Sequence, residues 1–152
     1  MKLIGSDGYG VELGVVGYQF PDAVDPQHRR NWLIIRGTAQ SPQGTWSFRW
    51  PALTSEDAVA LAQWLHHATG LSADNERCSA RMSFTEPNLN LSYVTDEASL
   101  IDLSIGLDLE FSPPWQRHNR ADDPFVISRR VDAESLSAAA NDWTAEIGSY
   151  PP

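Results

Sequence analysis

The chain has a single cysteine, Cys78, in 152 residues. That excludes an internal disulfide framework and fits a reducing compartment. No apolar run approaches the roughly 20 residues that a membrane-spanning helix needs. The stretch from Met1 to Asp7 is too weakly apolar for a secretory signal, so a cytoplasmic protein is expected. Neither HExxH nor CxxC occurs, so no metal and no cofactor is expected. GxSxG is also absent, which removes a nucleophile elbow. One sign of charge is missing over a long stretch. Between Met82 and Gln116 there is no lysine or arginine, yet Glu86, Asp96, Glu97, Asp102, Asp108 and Glu110 all fall there.

The formal net charge is −9, and it is lopsided: residues 1–70 carry about −1 and residues 71–152 about −8. The net charge argues against nucleic acid as a partner, because neutralising phosphates needs a basic footprint. Anionic membrane surfaces are disfavoured for the same reason. A one-sided negative field serves solubility or meets a basic partner.

What is present is an ordinary globular composition, with 41% apolar residues, 20% charged residues and six tryptophans. The length fits one domain spanning residues 1–152. Folding at this size buries roughly 70% of the unfolded chain's surface, so no covalent staple is needed.

The first half reads as strands. Leu3 and Ile4 lead into a turn at Ser6-Asp7-Gly8, and an alternating strand runs from Val11 to Phe20. Asp22 to Arg30 reads as a polar loop. Asn31 to Arg36 is an apolar run of strand length. Ser41-Pro42-Gln43-Gly44 has turn chemistry. Trp46 to Trp50 alternates, with both tryptophans on one face. A helix is predicted over 54–69, with Thr54 as N-cap and Gly70 as its left-handed stop.

The second half repeats this grammar. Strands are predicted at Ala80–Phe84 and Leu89–Tyr93, with turns at Glu86–Asn88 and Thr95–Ala98. A long strand is predicted from Leu100 to Phe111. Its inner face is Ile101, Leu103, Ile105, Leu107, Leu109 and Phe111, and its wet face includes Asp102, Asp108 and Glu110. Pro113-Pro114 ends it. Pro124 to Val131 is a further strand. A helix over 132–148 has Asp132 as N-cap and a stripe of Leu136, Ala140, Trp143 and Ile147. The expected class is α+β, a largely antiparallel sheet of about 7–8 strands carrying two amphipathic helices. The two halves share element order without clear residue identity.

The chemical candidates are few. His66-His67 point about 100° apart on a helix, so they read as surface residues and not as a chelating pair. Asp108 and Glu110, two apart on a strand, stand roughly 7 Å from each other. Paired-carboxylate hydrolases use such a spacing but need one carboxyl raised by burial, and this face reads as wet. Gly5, Gly8 and Gly10 precede a strand and not a helix, so they read as a hairpin and not a phosphate loop. Arg77 and Arg81 could activate Cys78, although a lone cysteine at a strand entrance is ordinarily inert. Trp64 and Trp143 fall on helix stripes and read as core. Trp115, just past the prolines, either caps the core or contacts a partner. The candidate partner-binding set is Asp102, Asp108 and Glu110, with Asp96, Glu97 and Trp115.

Several phrases line up in order along the chain: Gly17-Tyr18-Gln19-Phe20-Pro21, Asn31-Trp32-Leu33, Leu53-Thr54 leading to Trp64-Leu65, Phe84-Thr85-Glu86-Pro87-Asn88-Leu89, Glu110-Phe111-Ser112-Pro113-Pro114-Trp115 and Tyr150-Pro151. Together they resemble the WapI-type immunity proteins, small bacterial proteins paired with toxins of contact-dependent growth inhibition. The resemblance runs from about Gly17 to the end. In one departure, His28-Arg29-Arg30 stands where an acidic residue often precedes the Asn-Trp-Leu phrase. The resemblance implies a non-enzymatic protein that binds and neutralises a cognate toxin, with a basic nuclease-type toxin as the expected partner. The alternatives from the residues themselves are a small-ligand-binding or structural α+β domain, and a hydrolase using Asp108 and Glu110.

Overall fold

The structure is a computed structural model and describes residues 1–73, 78–95, 100–117 and 123–152. It contains eight strands in two antiparallel sheets of four. The first sheet is a meander of β1 (Lys2–Ile4), β2 (Gly10–Tyr18), β3 (Trp32–Ser41) and β4 (Gly44–Thr54). The second is a meander of β5 (Ser79–Ser83), β6 (Leu89–Thr95), β7 (Leu100–Leu107) and β8 (Phe125–Asp132). Helix α2 (Ser55–Ala73) follows the first sheet and α4 (Ala133–Ile147) follows the second. Two short helices, α1 (Pro26–Asn31) and α3 (Pro114–Arg117), lie in the connections. The α+β class is as expected, but the strands divide between two sheets. One physical reason is Pro51 in β4, opposite Ile34 of β3. Proline has no N–H to extend a ladder, so it suits an edge strand.

The helices join the two sheets. They pack on each other, α2 touching β4, β6 and β7 while α4 touches β1, β2 and β8. The stripe expected on α4 is buried, with Leu136, Ala140, Trp143 and Ile147 all in the core. On α2, Ala58, Leu61, Leu65 and Ala68 are buried to within 1%. One contiguous apolar cluster includes both helices and the inner faces of both sheets. At the seam between sheets, Phe48 of β4 stacks on Phe111 with ring centroids 4.1 Å apart. Gly37 makes room for that stack, because a Cβ there would fall 2.3 Å from the Phe48 ring.

Local chemistry explains where the elements stop. Thr54 and Asp57 cap α2 reciprocally, each side chain accepting the other's backbone N–H at 3.0 Å. Gly70 does not end that helix. It avoids the left-handed region, and Leu71, Ser72 and Ala73 carry the helix one turn further. The segment expected as a polar loop holds α1, because Asp25 accepts the Gln27 N–H at 3.1 Å and Pro26 occupies the first helical position.

The largest departure is at β7, which ends at Leu107 and not at Phe111. The Asp108 carboxylate accepts the Leu109 N–H at 2.7 Å, and Leu109 adopts φ +48°. A side chain bonding its neighbour's backbone competes with the ladder. The chain leaves the sheet as a 3₁₀ turn, Leu109–Phe111. Leu109, placed inside by alternation, is 49% exposed.

Asp132 caps α4, accepting the Ser135 N–H at 2.6 Å. That bond holds its carboxyl below the usual carboxylate range. A lowered folded-state pKa contributes stability above the unfolded value, and that contribution fades as pH falls through the folded one. Asp132→Ala is therefore expected to cost about 1 kcal/mol at neutral pH and progressively less as the solution is acidified below the ordinary carboxylate pKa. Urea denaturation at pH 7 and pH 3 checks this. An equal loss at both pH values would show that the charge plays no part.

Candidate partner-binding surface

The registers of the second sheet bring distant acidic residues to one end of the molecule. β7 ends at Leu107, paired with Leu89 at the start of β6 and Phe125 at the start of β8. β5 ends beside them, Ser83 pairing with Asn90. The β5–β6 turn, the 3₁₀ turn and the approach to β8 therefore lie beyond the same sheet edge. They carry Glu86, Asp108, Glu110 and Asp123.

Two of these carboxylates, Asp108 and Glu110, are held by hydrogen bonds. Asp108 caps the 3₁₀ turn, while its backbone N–H donates to the Asn88 carbonyl at 3.0 Å. Glu110 accepts a hydrogen bond of 2.8 Å from Nδ2 of Asn88, which is fully buried. The alternating strand face expected for Asp108 and Glu110 does not form, so the geometry that suggested a catalytic carboxylate pair is absent.

Trp115, on α3, is 41% exposed at this same end. Its ring packs edge-on against Trp46 at 5.3 Å and Phe125 at 6.4 Å. Trp46 is fixed in turn by its indole N–H, which donates to the Phe111 carbonyl at 2.8 Å. Below Trp115 lies Gly44, at the tip of the β3–β4 hairpin. Gly44 has φ +149°, and a Cβ there would come within 3.0 Å of the Trp115 ring. The hairpin thus needs glycine for its backbone and for the aromatic seated on it. The result is a half-exposed tryptophan on a rigid support.

Asp102 stands elsewhere. It points out from the middle of the second sheet, between Val94 and Arg130. Arg130 holds it through two hydrogen bonds of 2.8 and 3.0 Å. That guanidinium keeps the Asp102 carboxyl below its usual range. Arg81 also projects from this face, so the face is not acidic; Ser92, Ser104 and Ser128 make up its next row. The structure therefore brings Asp108, Glu110 and Trp115 together and sets Asp102 apart. Asp96 and Glu97 lie outside the described residues. Sequence reading missed Leu109, although Asp108 ahead of it and Pro113-Pro114 behind it were signals that the strand stops early.

The remaining candidates resolve simply. His66 and His67 are both exposed, and His66 Nε2 lies 3.2 Å from the Thr144 hydroxyl on α4. Cys78 is half-buried, its thiol 3.9 Å from the Ser79 carbonyl; Arg77 lies outside the described residues. The early glycines form the β1–β2 hairpin, with Gly5 N–H donating to Tyr9 at 2.8 Å. Trp143 is fully buried, whereas Trp64 is partly buried against Tyr93. Trp50, expected beside Trp46, is 46% exposed near the β3–β4 bulge. Two surface grooves, of about 470 and 410 Å³, are lined mainly by polar and charged residues. Among the described residues, no group of three or more His, Cys, Asp or Glu could hold a metal ion. No described helix is long and apolar enough to cross a membrane.

No curated protein and no solved structure matches the chain. The model of the immunity protein WapI-like family matches residues 2–151, essentially the whole chain, and the protein belongs to that family.

Proposed function

We propose that this protein neutralises a cognate, basic, nuclease-type toxin by binding it directly in the cytoplasm, without chemistry of its own. Membership of an immunity family implies a toxin-neutralising, non-catalytic role. The observation that carries the finer reading is the acidic end of the molecule. Glu86, Asp108, Glu110 and Asp123 lie at that end of the second sheet, as does the half-exposed Trp115. An exposed aromatic at an end rich in carboxylates suits a partner of the opposite charge. Asp102 is not part of this surface, because Arg130 already neutralises it.

Charge of this kind acts mainly on encounter. The test replaces Glu86 and Glu110 with Gln and Asp108 and Asp123 with Asn. These substitutions remove charge while keeping the hydrogen-bond acceptors that hold the turn. The probe is a toxin domain against which this protein protects co-expressing cells, and association is followed by stopped flow. Association is expected to slow by about tenfold at low ionic strength, and the difference should close as salt is raised. Asp102→Asn should leave the rate unchanged. An association rate insensitive to the fourfold change would remove the acidic end from the mechanism.

A further inference from the structure

We propose that Leu109 is an apolar anchor for the partner, held out of the core by its own backbone so that it can enter an apolar recess on a basic protein surface. The proposal rests on the immunity reading and assigns a contact which that reading leaves open.

Leu109 is anomalous in two independent ways. Its alternation with Leu107 and Phe111 would bury it, yet it is 49% exposed while both neighbours are fully buried. It is also the one non-glycine residue in the left-handed region among the described residues, at φ +48°. That conformation is unfavourable for a bulky side chain, and glycine or asparagine would occupy it more easily. A leucine that fills the core would offset the strain through burial, but this one leaves half its surface in water. Its surroundings fix the conformation. Asp108 accepts the Leu109 N–H at 2.7 Å, and the Leu109 carbonyl accepts the Ser112 N–H at 3.1 Å. Phe111, which closes the turn, stacks on Phe48 and accepts the Trp46 indole N–H. The turn is pinned on the core side and its leucine points outward.

Strain that a structure sustains at an exposed residue points to a role for that residue outside the fold. The partner's chemistry follows from the flanks. Asp108 and Glu110 adjoin Leu109 in the chain, and Glu86 and Asp123 lie at the same sheet end. No lysine or arginine occurs from Met82 to Gln116. Charge complementarity favours a partner that presents positive charge around an apolar recess, and the cognate toxin is the occupant proposed.

The experiment compares the parent chain with Leu109→Gly and Leu109→Asn. Both residues accept the left-handed backbone and remove the apolar side chain. Each protein is unfolded in urea and, in a separate measurement on the folded protein, titrated against a toxin domain from which the parent chain protects co-expressing cells. The midpoint of unfolding is expected to stay level or rise, while affinity falls by about tenfold or more through faster dissociation. Affinity within twofold of the parent in both variants overturns the proposal. A fall in midpoint with affinity unchanged also overturns it, by showing that Leu109 serves the fold. If the parent protects against no toxin domain, or protects without binding it, the immunity reading fails and takes the proposal with it.

Discussion

Trp143→Ala is expected to destabilise the protein by about 4 kcal/mol, the range found when a buried tryptophan is cut back to a methyl group. Trp143 is fully buried, and its indole N–H donates to the Ala58 carbonyl at 2.9 Å. It comes from α4 and reaches into α2, so it serves a helix pair in which each helix contacts both sheets. Its removal leaves a cavity at the centre of the helix layer. A chain of this size has roughly 5–15 kcal/mol of total stability, so the loss is a large fraction of the whole. The melting temperature should fall by about 10 °C. Trp143→Phe keeps most of the volume and should recover more than half of the loss. Urea denaturation checks both variants, and an unchanged slope would show that the unfolded state is unaffected. A loss below about 1 kcal/mol for Trp143→Ala would mean that the site collapses freely, contrary to close packing of the helices.

The helix containing Trp143 was legible because its signals are local. Asp132 precedes a stripe at helical spacing, and both the cap and the buried face appear as expected. The same is true of the Ser41–Gly44 hairpin, where turn chemistry sets the pairing. Features that depend on contact across the chain were not legible. Asp102 reads as a free acid because its partner, Arg130, is 28 residues away. Asp108 reads as the next step of an alternation because nothing in a period of two registers a side chain bonding the following N–H. That one bond moves Asp108 and Glu110 off the Asp102 face and turns Leu109 outward. The stretch without basic residues therefore does not form an acidic strand face. Its Glu86, Asp108 and Glu110 fall at one end of the second sheet, the end that also carries Asp123 and Trp115. Gly70 carries the same lesson on a smaller scale, since glycine permits a left-handed stop without imposing one.

Trp115→Ala should weaken toxin binding by about 2–4 kcal/mol, which is roughly thirty- to a thousandfold in affinity. The ring is 41% exposed, yet it is immobilised by Trp46, by Phe125 and by the bare Cα of Gly44. Such an anchor has lost its freedom before the partner arrives, so less ordering cost falls on association. The kinetic signature should be the opposite of that for the carboxylates. Neutralising Glu86, Asp108, Glu110 and Asp123 should slow encounter in a salt-dependent way. Removing Trp115 should leave the association rate nearly unchanged, speed dissociation and be nearly independent of salt. Gly44→Ala supplies a control that keeps the tryptophan side chain but displaces it. Its Cβ would press on the ring from 3.0 Å and strain a backbone at φ +149°, so the indole must shift. A Gly44→Ala loss in the same direction, through dissociation, would show that the position of the ring matters as well as its presence. If Trp115→Ala keeps parental affinity in surface plasmon resonance while remaining folded, the aromatic serves only to cap the seam between the sheets. The partner surface must then be sought away from this end.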